Sequence, residues 1–290
     1  GAQSMSMPTT HGTKGPLVAI GGAEDKTSRA DILRRVLAVS GKTAPVVGVI
    51  TTASSTPGEV FESYRTAFSA IGAGEVVDIR IRERQDAASD DIVGMIRRSD
   101  VIFISGGDQM RLTNILGATA ALEAIRARHA EGAVIAGTSA GAACQSQTMV
   151  YGGAANDSLR KGAVKMTAGF GLVAGVIIDT HFLERGRFSR LMEVGATNPE
   201  YLGIGLGEDA AVLFEEDVIH AFGPGHVILV DSSQVTGSNV FSLADGEAVS
   251  VNNVIMHALV DGCGYSLTDR RVLGHDELRA KSLEHRIAYS

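Results

Sequence analysis

Along its first half this chain alternates short apolar runs with stretches of helical periodicity, and few architectures accept that pattern. Leu17-Val-Ala-Ile20 reads as a strand and runs into Gly21-Gly22. Residues 28–39 then place Ile32, Leu33, Val36 and Leu37 on one helical face. Val46–Ile50 reads as the next strand, and Pro57 opens a helix at its favoured first position. Residues 76–81 are strand-like, Asp90–Arg98 helical, and Val101-Ile-Phe-Ile104 is a strand ending at Ser105-Gly106-Gly107-Asp108. Helical segments near Gln109–Leu116 and Ala120–Ala130 follow. This alternation predicts an α/β fold with a mainly parallel, doubly wound sheet flanked by helices. Phe188–Thr197 reads as one more helix. After it, residues 202–206, 210–214, 218–222 and 227–230 are short strand-like runs, read as C-terminal antiparallel hairpins extending the same sheet. Ligands in such sheets sit at the carboxyl ends of the strands.

One segment adds chemistry to this frame. The apolar run 133–136 leads straight into Gly137-Thr138-Ser139-Ala140-Gly141, with small helix-compatible residues after it. Strand, tight turn and helix around G-x-S-x-G make a nucleophile elbow, which presents the Ser139 hydroxyl at the carboxyl edge of the sheet. The pentapeptide alone is a weak signal; the strand before it carries the reading. The helix after it aims backbone N–H groups at the same place, which suits an oxyanion.

Composition narrows the setting. With 290 residues, 44% apolar and 20% charged, the chain has ample material for a core. We expect residues 15–290 to form a single domain, since no linker or internal repeat interrupts them. Residues 1–14 are polar, begin Gly1-Ala2-Gln3-Ser4 like the remnant of a cleaved tag, and are expected to form a mobile tail. The net charge of −7 argues against nucleic acid as a bulk electrostatic partner. No apolar run is long enough to span a membrane. The two cysteines, Cys144 and Cys263, form neither a metal spacing nor a disulfide framework, which fits a reduced cytoplasm. Residues 151–166, rich in Gly and Ala, read as a loop over the site.

A serine nucleophile needs a base, and the base an orienting acid. Among eight histidines, His181 ends the apolar run Gly175-Val-Ile-Ile-Asp-Thr-His181. Two neighbouring parallel strands would bring it to Ser139. The acid candidates are Glu208, just past another apolar run, and its rival Asp209. Gly106-Gly107 could lend an oxyanion N–H. His181-Phe-Leu-Glu184 has the spacing of a metal pair but lacks a third ligand, so no metal is expected. Gly21-Gly22 and Gly169-Phe-Gly171 do not complete a dinucleotide fingerprint. Arg185, Arg187 and Arg190 cluster next to the proposed base, and guanidinium forks pair bidentately with carboxylates.

Taken together, Gly106-Gly107-Asp108-Gln109, Ala136-Gly-Thr-Ser-Ala-Gly-Ala142, Asp179-Thr-His-Phe-Leu-Glu-Arg-Gly-Arg187 with Arg190, and Gly207-Glu-Asp209 closely resemble the cyanophycinase family. These are serine peptidases related to aspartyl dipeptidase and, in fold, to class I glutamine amidotransferases. The resemblance runs over nearly the whole chain after Gly15. It implies hydrolysis of cyanophycin, a poly-aspartate backbone with arginine linked to each β-carboxyl, from the chain end to β-Asp-Arg dipeptides. It implies Ser139 as nucleophile, His181 as base and Glu208 as acid, with an oxyanion hole from the N–H groups near Gly107 and Asp108 and at Ala140. Gln109, Asp179, Thr180, Arg185, Arg187 and Arg190 would hold substrate. No cofactor is implied, and a homodimer is. One departure stands at Thr180, where the family usually carries a longer Gln that contacts substrate.

Other readings remain open on the residues. A serine esterase of the α/β-hydrolase type would place its base far downstream, at His257 or His275. An aspartyl dipeptidase acting on small acidic substrates shares the chemistry, and a non-catalytic protein binding Asp/Arg-rich peptides would need none of it.

Overall fold

The computed structural model describes residues 14–153 and 159–280. The expected tail thus lies outside the described residues, apart from Lys14. Strand β1 (Leu17–Ile20) leads to α1 (Asp31–Ala38), β2 (Val46–Ile50), α2 (Pro57–Ala70), β3 (Glu75–Asp78), α3 (Asp90–Arg98) and β4 (Val101–Ile104). Then come α4 (Gln109–Leu116), α5 (Ala120–Ala130), β5 (Val134–Thr138) and α6 (Ala140–Ala143). A hairpin of β6 (Thr148–Gly152) and β7 (Lys165–Ala168) precedes β8 (Val176–Asp179), α7 (Phe188–Thr197) and β9 (Leu202–Leu206). The chain closes with β10 (Ala211–Glu215), β11 (Val218–Phe222), β12 (Val227–Asp231), β13 (Gly237–Ser238), β14 (Val251–Asn252), β15 (Ile255–Leu259), β16 (Gly264–Ser266), β17 (Arg271–Leu273) and α8 (His275–Ala280).

A nine-stranded sheet runs in the order β17-β16-β11-β10-β1-β5-β4-β2-β3. Its half from β1 to β3 is parallel, and β10, β11, β16 and β17 extend it antiparallel. This is the expected α/β architecture. The central strands β1, β4 and β5 are buried at every residue, which explains their unbroken apolar runs.

Three details differ from the sequence reading. First, β8, β9, β12 and β15 form a second, four-stranded sheet, so runs 202–206 and 227–230 do not extend the main one. Both run types are buried and apolar, and such runs do not reveal their pairing partner. Second, α1 starts at Asp31 rather than near Ser28. The Asp25 carboxylate accepts the N–H groups of Thr27, Ser28 and Ala30 and holds that stretch as a turn. Third, the ends of the expected 151–166 loop belong to β6 and β7; residues 154–158 lie outside the described residues.

Candidate active site

Ser139 links β5 to α6 with φ 55° and ψ −114°. That conformation costs a residue with a side chain roughly 1–3 kcal/mol. The surroundings enforce it. Its N–H donates to the Ile20 carbonyl, and its carbonyl accepts the N–H groups of Ala142 and Ala143, all at 3.0 Å. Glycines on either side permit the turn. A Cβ on Gly137 would lie 2.0 Å from the Gly141 carbonyl oxygen, and one on Gly141 2.1 Å from that of Ile104. The helix that follows is one turn of four residues. It is too short to carry an appreciable helix dipole and presents only individual N–H groups.

His181 follows the end of β8 and Glu208 the end of β9. These strands are parallel neighbours with Asp179 opposite Gly205, so both side chains leave from the same edge. His181 Nε2 lies 3.0 Å from Ser139 Oγ. His181 Nδ1 lies 2.7 Å from Glu208 Oε1. A carboxylate only accepts, so Nδ1 carries the ring proton and Nε2 accepts from the serine hydroxyl.

The route by which they meet is not the expected one. β5 and β8 are not neighbours in one sheet but members of two. The backbone of Gly21-Gly22 stitches the sheets together. His181 N–H donates to the Gly21 carbonyl and Asp209 N–H to the Gly22 carbonyl, each at 2.9 Å, while Gly21 N–H continues the β1–β10 ladder to the Ala210 carbonyl. Asp209 is spent elsewhere: its Oδ1 accepts the Asp25 N–H at 3.2 Å. Burial pushes its carboxyl above the usual range. His257 packs by the Tyr265 ring, with centroids 5.7 Å apart. Glu184 accepts the Glu208 N–H at 3.0 Å. Among the described residues no His, Cys, Asp or Glu cluster is arranged to hold a metal ion.

Of the expected oxyanion donors, Asp108 is occupied. Its N–H donates to the Ala53 carbonyl at 2.9 Å, and its carboxylate caps α4 through the Met110 N–H. The N–H groups of Gly107 and Ala140 enter no hydrogen bond among the described residues.

The expected substrate contacts are partly spent within the protein. Asp179, expected to meet a substrate guanidinium, meets two of its own. Arg187 Nη1 lies 3.0 Å and Arg190 Nε 3.2 Å from its carboxylate. Burial pushes the Asp179 carboxyl up, and Arg190 and Arg187 pull it back down. Arg187 also donates to the Thr180 carbonyl at 2.9 Å, directly before His181. Thr180 is buried, Arg185 exposed, and Gln109 donates to the Val150 carbonyl at 3.2 Å.

A cleft of about 350 Å³ is lined by Ser139 and His181, whereas Gln109, Asp179, Thr180, Arg185, Arg187 and Arg190 do not line it. Its walls include Glu24, Lys26, Glu59 and Tyr64, which the sequence reading passed over. The available signal was position: Glu24-Asp-Lys26 follows β1, the parallel neighbour of β5, at the edge where ligands gather.

Residues 17–222 match the model of peptidase family S51. This chain belongs to peptidase family S51. An S51 peptidase is a hydrolase, and the chain is one. It is 36% identical over 274 residues to a cyanophycinase of Nostoc sp., covering 94% of this chain and 92% of that protein. A cyanophycinase of Synechococcus elongatus is also 36% identical, over 269 residues, with 91% of this chain and 84% of that protein covered. Among solved structures, this S51 chain resembles the crystal structure of a peptidase from an acI-B1 Actinobacterium. The TM-score is 0.64 at 20% identity, over 87% of this chain and 97% of that one, a likeness of fold alone.

Proposed function

We propose that this chain hydrolyses cyanophycin from the chain end to β-Asp-Arg dipeptides, through an acyl-enzyme on Ser139. The observation that carries the reading is the unbroken hydrogen-bonded chain Ser139–His181–Glu208, with links of 3.0 and 2.7 Å, in a chain so similar to cyanophycinases. In this reading His181 Nε2 takes the hydroxyl proton as Oγ attacks a backbone carbonyl. Glu208 holds the ring in the accepting tautomer and stabilises the imidazolium. The N–H groups of Gly107 and Ala140 receive the oxyanion. His181 then protonates the leaving amine, and water releases the acyl group.

In this reading Gln109 and the exposed Arg185 bind substrate, while Asp179, the buried Thr180, Arg187 and Arg190 shape the segment that carries His181 and Arg185. Residues 15–290 act as one domain, since β10, β11, β16 and β17 close onto β1 from the far end of the chain. Buried, reduced Cys144 supports a cytoplasmic setting, and no helix among the described residues is long and apolar enough to cross a membrane. The family resemblance supports a homodimer, which sedimentation would test. The function is tested by mass spectrometry of products after incubation with cyanophycin. β-Asp-Arg dipeptides are expected, and intact polymer would refute the reading. Cleavage of a short α-aspartyl dipeptide in place of the polymer would favour an aspartyl dipeptidase instead.

A further inference from the structure

The cleft beside Ser139 contains a charged cluster that the triad does not use. Glu24 is 3% exposed, yet its carboxylate is fully engaged. Oε1 accepts the Thr138 hydroxyl at 2.5 Å, and Oε2 accepts the Tyr64 hydroxyl at 2.6 Å. The Lys26 ammonium stands 3.3 Å from Oε2 and 5.1 Å from the centre of the Tyr64 ring. Burial and the neighbouring Glu24 charge hold the Tyr64 hydroxyl well above its usual range, so it stays a donor.

The two charges cancel in sum but not in access. The Glu24 side chain is 1% exposed and the Lys26 side chain 29%. Both Glu24 oxygens already carry partners, whereas an ammonium has three N–H donors and Glu24 takes one. Of this pair, a ligand entering the cleft therefore meets the Lys26 ammonium and not the Glu24 carboxylate; the exposed Glu59 is the other carboxylate on the cleft wall. Glu24 and the Tyr64 ring also fix a side chain that would otherwise lose much rotamer entropy on binding. Thr138 ties the same carboxylate to the residue before the nucleophile, which sets the distance between ammonium and Ser139.

We propose that Lys26, held by Glu24 and Tyr64, recognises a carboxylate on the substrate unit that occupies this cleft. The inference rests on the peptidase reading of the preceding section and names a specificity-determining residue for it. Arginine joined through its amino group to a β-carboxyl keeps its own carboxyl free, so every unit of such a polymer offers an anion. Arg187 and Arg190 are paired with Asp179, and Lys26 is the cation that lines this cleft.

The test compares two oligomers of β-Asp-Arg of one length. One has free carboxyls, and in the other the arginine and chain-end carboxyls are carboxamides. For the parent, kcat/KM should favour the free acid. Lys26→Met should lose about 10- to 100-fold on the acid, as for a charged hydrogen bond, and less than about threefold on the amide. Lys26→Arg should keep the preference for the acid. Equal losses on both oligomers, or no loss on either, would overturn the proposal. So would a Lys26→Arg variant without preference, which also covers the case of a Met variant that fails to fold. If the parent cleaves neither oligomer, the failure lies in the reading of function, and this assignment falls with it.

Discussion

Replacing Gly22 with alanine should disarm the enzyme through a single methyl group. Gly22 has φ +101°, and a Cβ there would lie 2.3 Å from His181 Cε1 and 2.5 Å from Nε2. Carbon atoms in contact sit about 3.5–4.0 Å apart, so the ring must retreat by roughly 1.2 Å. The backbone cannot retreat instead without breaking bonds, because Gly22 accepts the Asp209 N–H and Gly21 accepts the His181 N–H. A ring displaced by that much stretches the 3.0 Å contact with Ser139 beyond hydrogen-bond reach. Misplacement of a reacting group by about 1 Å costs on the order of 100-fold, so kcat/KM should fall at least that far. The backbone conformation itself adds about 1–3 kcal/mol of instability for a residue with a side chain. Gly132→Ala supplies the control, since its φ is +107° but nothing lies within 4 Å of its Cβ. Both variants should lose comparable stability in urea titrations, and only Gly22→Ala should lose turnover and labelling of Ser139 by a fluorophosphonate. If Gly22→Ala stays within about threefold of the control in kcat/KM, the argument that this glycine makes room for the base is wrong.

Ser139→Gly should abolish turnover and yet raise stability by about 1 kcal/mol, since glycine tolerates the φ of 55° that serine endures; a variant less stable than the parent in urea would contradict the strain. Glu208→Gln should depress kcat strongly with little change in substrate affinity, and Asp209→Asn should not; the reverse pattern would reassign the acid. Asp179→Asn leaves the buried Arg190 guanidinium without its counter-charge, which should cost about 3–5 kcal/mol of unfolding free energy. Cys144 is fully buried and its thiol is pushed far above its usual range, so iodoacetamide should modify it only after unfolding. Labelling of Cys144 in the native protein, read by peptide mass, would show that its helix opens readily.

The elements that sequence alone made legible are those with local signals. The elbow announces itself through glycines that crowd their neighbours, and β1, β4 and β5 through unbroken apolar runs. His181 and Glu208 were legible because each closes such a run. Pairing was not legible, because β9 and β10 are equally buried and only long-range contacts send one to the small sheet and the other to the large. The cluster at Glu24 was hidden for a related reason. Its members stand at positions 24, 26, 64 and 138, and Tyr64 reads as one more apolar residue of α2. Gly21-Gly22 completes no nucleotide fingerprint in the sequence, and only the structure shows it against the His181 ring and at the join of two sheets.

That join has a mechanical consequence. Ser139 travels with the large sheet, while His181 and Glu208 ride together past the ends of adjacent strands of the small one. A slight parting of the two bodies would leave the imidazole–carboxylate pair whole and the serine inert, with every strand still in place. Activity should therefore vanish, reversibly, at lower urea than the far-ultraviolet dichroism does. Solvent drawn between the sheets would expose the His181 and Asp209 amides, which donate to Gly21 and Gly22, to hydrogen exchange ahead of the strands on either side.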